Sequence, residues 1–256
     1  TNAKTNFVSS SSSAGLQIKG DNTTAGTLQL NCEQNSHGIK LRSPAHSASQ
    51  SYTLTFPTTA PVADKALITD GSGNLSFGSA GGMDLLLSVN NTSGSPAYYD
   101  ISSTYINSTY DNYYLVGYFE GNADTRYLYA QVFVGGVVQD SSGTYGYETT
   151  VIGANDQHDN TNSATLLMSA QTGGQGGDDG EGTNVSMTFQ NANNTMAPFC
   201  VTGSSSYHNT SANHAGSNFS GSMKPSLRGS VVNGLRLKMH TGDLTNFRFK
   251  FYGLRD

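Results

Sequence analysis

Residues 235–252 read LRLKMHTGDLTNFRFKFY. Leu235, Leu237 and Met239 fall on one side of an extended chain, and Arg236, Lys238 and His240 fall on the other. Phe247, Phe249 and Phe251 oppose Arg248, Lys250 and Tyr252 in the same way. Successive side chains of a strand point to opposite faces, so a period of two marks a half-buried strand. The pattern predicts two strands, paired antiparallel through a turn at Thr241-Gly242-Asp243.

Moving toward the N-terminus, an apolar run at 84–89 opens a series of similar segments. They lie at 113–120, 126–134, 145–152, 165–168, 185–189 and 198–202, separated by turn-forming Gly, Asn and Ser. No segment carries a convincing 3.6-residue period. This many strands with such turns predict an all-β domain over residues 83–256, a jelly-roll-like antiparallel β-sandwich.

Further upstream the strands shrink. Leu16 and Ile18, Leu28 and Leu30, Ile39 and Leu41, then Tyr52, Leu54 and Phe56 alternate with polar residues, at intervals of about 11–13 residues. Each repeat offers two or three apolar side chains. Burying a large one is worth about 1.5–3 kcal/mol, whereas fixing each residue's backbone costs about 1–2 kcal/mol. A lone copy cannot close that gap, so residues 1–50 are expected to be a stalk or attachment segment of a homo-oligomer. Residues 51–82 are expected to be a neck, with a turn at Asp70-Gly71-Ser72-Gly73-Asn74 and a glycine hinge from Gly78 to Gly82. The predicted interface between copies comprises Leu16, Ile18, Leu28, Leu30, Ile39, Leu41, Leu54, Phe56 and Ile68.

Composition narrows the function classes. The 256 residues include 13 basic and 18 acidic ones, for a net charge of -5 without any basic stripe, which argues against nucleic acid as a partner. No apolar run approaches the roughly 18–20 residues of a membrane helix, so no membrane insertion is expected. Aromatic content of 10% separates the chain from disordered polymers of equally low charge. Two cysteines, Cys32 and Cys200, are too few for a disulfide framework and are expected as free thiols. The chain starts at Thr1 with no signal-like segment, which suits a processed chain or part of a longer one.

Several motifs stand out: YTLTFP at 52–57 with ALITDGSGNLSF at 66–77, the opening strand at 84–89, and Ser108-Thr109-Tyr110-Asp111-Asn112-Tyr113 before a long strand. Gly143-Thr144-Tyr145-Gly146-Tyr147 and the ending Asn246-Phe247-Arg248-Phe249-Lys250-Phe251-Tyr252-Gly253-Leu254-Arg255 complete the set. Together they resemble motifs of fibre proteins from tailed bacteriophages, especially marine ones. The resemblance covers most of residues 50–256. It implies a trimeric virion appendage, made in the bacterial cytoplasm and carried on the extracellular particle, and makes the predicted interface between copies a trimer interface. Its N-terminus would dock other virion proteins, and its C-terminal head would bind a host surface glycan or outer-membrane receptor. The alternative within this class is a capsid decoration or head-fibre protein.

Candidate binding residues follow from chemistry. Sugar recognition combines aromatic faces with amide and carboxylate hydrogen bonds, which points to Tyr98, Tyr99, Tyr105 and Tyr110 in the densest tyrosine cluster. Polar loops on a β scaffold add Asn155, Asp156, His158 and Asp159 from 153–162, and Tyr207, His208 and His214 from 204–218, with 173–182 as a third loop. Asp156, Asp159, Asp178, Asp179 and Glu181 match no Ca²⁺-loop spacing, so no metal and no cofactor is expected. Ser72 and Ser222 lack the GxSxG context of a nucleophile elbow, and no enzyme activity is expected.

Overall fold

Extended segments dominate the computed structural model. It describes residues 5–61, 63, 65–78, 81–152, 157–169, 174–177, 180–209, 213–224, 227 and 229–255, with the backbone alone at 157–159. Among these residues there is no α-helix, and a 3-10 turn lies at His46–Ala48. The chain divides into two units, Thr1–Ala80 and Gly81–Asp256.

In the N-terminal unit β1 (Thr27–Asn31) pairs antiparallel with β2 (Gly38–Arg42), setting Leu28 opposite Leu41 and Leu30 opposite Ile39. These cross-strand pairs place four aliphatic side chains on one face of the hairpin. A second hairpin joins β3 (Ala66–Thr69) to β4 (Leu75–Gly78). Asp70 holds its turn: Oδ1 accepts from the Ser72 and Asn74 amides at 2.8 and 3.1 Å, and Oδ2 accepts from Asn74 Nδ2 at 2.7 Å. The expected strands at 16–18 and 52–56 do not form. Thr55 makes an isolated bridge to Asn74, its amide donating to Gly73 O at 2.9 Å. Two or three apolar residues between turn-formers do not sustain a ladder without a partner strand. Among the described residues of this unit none is buried, and Leu30, Ile39 and Leu41 are 52%, 68% and 62% exposed. Ile68 departs from the expected outward set: it is half-buried with its side chain against Gly78, while Leu67 beside it is exposed.

The C-terminal unit contains β5 (Met83–Asn91), β6 (Tyr99–Ile101), β7 (Asn112–Gly121), β8 (Leu128–Val134), β9 (Val137–Val138), β10 (Tyr145–Val151), β11 (Gln157–Ser163), β12 (Leu166–Leu167), β13 (Thr183–Gln190), β14 (Cys200–His208), β15 (His214–Met223), β16 (Val232–Met239) and β17 (Leu244–Leu254). Eight of them form one antiparallel sheet in the order β11-β10-β15-β14-β13-β7-β17-β5. The smaller sheet runs β12-β8-β16-β6, with β9 paired to β8. The chain passes from one sheet to the other repeatedly, at β5 to β6, β6 to β7, β7 to β8 and β15 to β16 to β17.

That alternation corrects the pairing expected for residues 235–252. β16 pairs with β6 and β8, while β17 pairs with β5 and β7. The two strands are consecutive but sit in opposite sheets. Their turn is used as a crossover: the His240 amide donates to Tyr127 O and the Leu244 amide to Pro96 O, both at 2.9 Å. The two apolar rows therefore meet across the core.

From the large sheet the core takes Tyr113, Leu115, Phe119, Phe247, Phe249 and Phe251; from the small one it takes Ile101, Leu128, Val132, Leu235, Leu237 and Met239. Phe119 stacks on Phe249 at 5.6 Å between ring centres, and Tyr113 stacks on Phe251 at 5.2 Å. Glycine is required where rings cover the sheet. A Cβ on Gly203 would lie 2.6 Å from Phe219 Cζ and 2.8 Å from Met187 Cβ. Two sets of buried polar groups find partners on the interior side. Ser205 Oγ meets Ser217 Oγ at 2.8 Å, and Tyr145 Oη donates to Gln139 O at 2.7 Å while accepting from the Val132 amide at 2.8 Å. Burial drives the Tyr145 phenol far above its ordinary pKa, so it remains a donor.

Candidate functional site

The register that buries one face of the large sheet decides what the other face presents. Tyr118 lies opposite Arg248 and Asn184, Val116 opposite Lys250 and Ser186, and Tyr114 opposite Tyr252 and Thr188. The same rows continue through Ser206, Ser204 and Thr202 on β14 to Gly216, Asn218 and Ser220 on β15, and His208 faces His214 beyond them. Large side chains stand at both ends of these rows and small ones in the middle. The sheet is hollowed there into a trough of about 860 Å³. Arg248, Lys250 and Tyr118 bound it at one end, Ile152 and His214 at the other, and Ser186, Ser204, Ser206 and Gly216 form its floor. It crosses six strands, or roughly 24 Å at ~4.8 Å per strand.

Two features preorganise the cationic end. Tyr118 Oη donates to Glu120 Oε2 at 2.6 Å and accepts from the Gly182 amide at 3.1 Å, which fixes the ring. Burial, then the hydrogen bond to the Glu120 carboxylate, pushes the phenol up to about 12, so it stays neutral. The Arg248 guanidinium lies 5.7 Å from the centre of that ring. Nearby, Tyr114 Oη and Ser186 Oγ are 2.9 Å apart. A second, shallower depression on this face is bordered by Glu148, Thr161, Gln190, Thr202, Ser220 and Ser222.

The tyrosine cluster expected to bind sugar is largely structural. Tyr99 packs edge-on against Phe247 and Phe249 at 5.5 and 5.3 Å, and Tyr105 packs against the core. Tyr110 donates its hydroxyl to Asp84 Oδ2 at 2.6 Å, where Arg255 also pairs. Tyr98 is exposed, but its ring lies 3.6 Å beneath the Arg236 guanidinium that pairs with Asp100. Tyrosines at the end of a strand gain by burying the ring while keeping the hydroxyl bonded, and here that use takes most of them.

The expected loops are also revised. Residues 204–208 and 214–218 belong to the long paired strands β14 and β15, and Tyr207 is 2% exposed beside Val151. His208 and His214 form a cross-strand pair, with rings 6.2 Å apart, and His214 lines the trough. Asn155 and Asp156 lie outside the described residues. His158 and Asp159 belong to β11, opposite Thr149 and Glu148. Of 173–182, the described Gly174, Gln175 and Gly176 are buried, and Gln175 bridges Arg126. Among the described residues no group of three His, Cys, Asp or Glu side chains converges as a metal site.

Sequence reasoning missed the trough. Asn184, Ser186, Ser204 and Ser206 alternate with Val185, Met187, Ser205 and Tyr207, so the period of two was present with serines on both faces. No protein-family model, curated protein or solved structure matches the chain.

Proposed function

We propose that the chain is a structural protein of a tailed-phage particle. In this reading it is a fibre-type virion appendage whose N-terminal unit assembles as a parallel homotrimer. The C-terminal unit is then a jelly-roll-like head that adsorbs to a host surface glycan. The observation that carries the reading is the contrast between the units. One has no buried residue among those described and exposes a row of aliphatic side chains; the other closes its own core. The first needs copies of itself, and a trimer carries three heads. Repeated, weak head contacts hold a particle through avidity, which suits an open trough better than a deep pocket. The repeated passage of the chain between sheets supports the jelly-roll-like description. Among the described residues no Asp or Glu lines the trough, so they supply no pair of carboxylates of the kind that glycoside cleavage uses, which supports binding without hydrolysis.

The test joins mass to adsorption. Sedimentation of the full chain at micromolar concentration should give three chain masses, and the isolated trimer should compete with phage for host cells. A monomer would sink the trimer. A trimer that leaves phage adsorption untouched would make the protein a capsid decoration instead.

A further inference from the structure

Charge in the trough is concentrated at one end. Arg248 and Lys250 stand two residues apart on the outer face of β17, and both are exposed. Among the described residues no carboxylate lies within ion-pair distance of either. Two other arginines of this unit are paired: Arg236 makes bonds of 2.8 and 2.9 Å to Asp100, and Arg255 makes bonds of 2.8 and 3.1 Å to Asp84. These two adjacent cations stand over a floor with no acid among its described residues, the Glu120 carboxylate at this end being engaged by Tyr118 Oη. In a chain of net charge -5 they form a local patch of the opposite sign. The Arg248 guanidinium lies within cation–π range of the Tyr118 ring, an attraction that uses none of its N–H donors. The surrounding side chains, Ser88, Asn90, Asn184 and Ser186, both donate and accept. The other depression on this face contains Glu148 and, among its described lining residues, no Lys or Arg.

We infer that the trough binds an anionic glycan, with a carboxylate or phosphate of one sugar seated between Arg248 and Lys250 and neutral ring hydroxyls lying along Ser186, Ser204 and Ser206. This deepens the host-glycan reading and rests on it. A planar guanidinium matches either anion through two parallel hydrogen bonds, and the lysine adds a point charge. Small hydroxyl side chains beyond them admit a sugar ring close to the sheet and satisfy its hydroxyls.

The full chain is titrated calorimetrically, at low and high salt, with polygalacturonate as a carboxylate probe, a phosphomannan as a phosphate probe, and dextran as a neutral one. Binding of at least one acidic probe is expected, weakening with salt and falling about tenfold or more in the Arg248→Gln, Lys250→Gln double variant. Lys238→Gln, on the other sheet, should change nothing. The acidic probe that binds identifies the anion. Unaltered thermal unfolding shows that the double variant is folded, and the single variants provide smaller steps in the same direction. Dextran binding as tightly as the acidic probes, with the double variant unaffected, overturns the anionic inference and leaves the glycan reading standing. Retention of no probe also overturns it; the glycan reading then falls only if adsorption to host cells fails as well. A change of sedimenting mass in the double variant would make this face an interface between copies and overturn the inference outright.

Discussion

The two units use the same alphabet and reach different ends. Each is built from short extended segments with apolar side chains on alternate positions. In the C-terminal unit two sheets turn their apolar rows toward each other, and Phe249 ends 3% exposed. In the N-terminal unit each hairpin has two strands, and Leu30 and Ile39 keep more than half their surface. Alternation decides which face is apolar; the number of strands that share the face decides whether a single chain can bury it.

The sharpest break in that comparison is a pair of deletions. Phe249→Ala removes a ring from the centre of the core and should lower the unfolding free energy by about 3–5 kcal/mol in urea titration. Leu30→Ala should leave the main unfolding transition within about 0.5 kcal/mol, as expected for a site outside that core. Lys250→Ala, one residue along on the outer face, should do equally little. Similar losses at Phe249 and Leu30 would mean that the two units share one cooperative core.

A second measurement sharpens what the N-terminal face is for. Leu30→Asp with Ile39→Asp places two carboxylates directly opposite each other on the β1–β2 face. The double variant should sediment as a monomer, because an apolar interface cannot desolvate two unpaired acids, while the main unfolding midpoint stays put. An unchanged mass would remove this face from the assembly.

These outcomes also show how far the sequence was legible. Residues 235–252 revealed both strands and both apolar rows, because burial acts on every second residue and leaves that trace locally. They could not reveal that β16 and β17 separate into opposite sheets, since pairing depends on distant β5, β6, β7 and β8. Val201 falls in the expected strand at 198–202, but Ser205 and Tyr207 read as loop because Gly203 and Ser205, two of the four inward positions from 201 to 207, are not hydrophobic. Their burial rests on the Ser205–Ser217 contact and on the Phe219 ring over Gly203. The trough was invisible for a related reason. It is made by where side chains are small, across six strands, and no local window carries that.

A chemical probe separates the units again, with a smaller effect. Cys32 sits in the β1–β2 turn with Sγ 3.6 Å from Ser36 Oγ and 3.9 Å from His37 Nδ1, and these hydrogen bonds lower its thiol to about 6. Burial raises Cys200 instead. At pH 7 most of Cys32 is thiolate and little of Cys200 is. Although nucleophilicity drops with pKa, iodoacetamide should label Cys32 about tenfold faster or more, as mass spectrometry of the two peptides would report. Equal rates in a dissociated sample would show that the turn geometry is not kept in solution. Protection of Cys32 on assembly would place the turn inside the contact between copies.

The smallest expected effect is a pH dependence confined to one end of the sandwich. His240 follows β16, with its ring 4.6 Å from that of Tyr127 and its Nδ1 buried without a hydrogen-bond partner. Burial first, then the nearby charges of Arg126 and Lys238, hold the imidazole below its ordinary value of 6.5. Above about 6.5 both folded and unfolded states carry a neutral ring and the histidine contributes no slope. As the pH falls below that value the unfolded chain takes up the proton while the folded one resists, so stability declines. Carboxylates titrate in the same acid range, so the informative quantity is the difference between wild type and His240→Gln. Urea unfolding at pH 7.5 and pH 5 should show the wild type losing more stability than the variant, by a margin that shrinks toward zero at neutral pH. If the two lost stability in parallel, the ring would be solvated, and the β16–β17 crossover would be looser than the paired strands on either side of it.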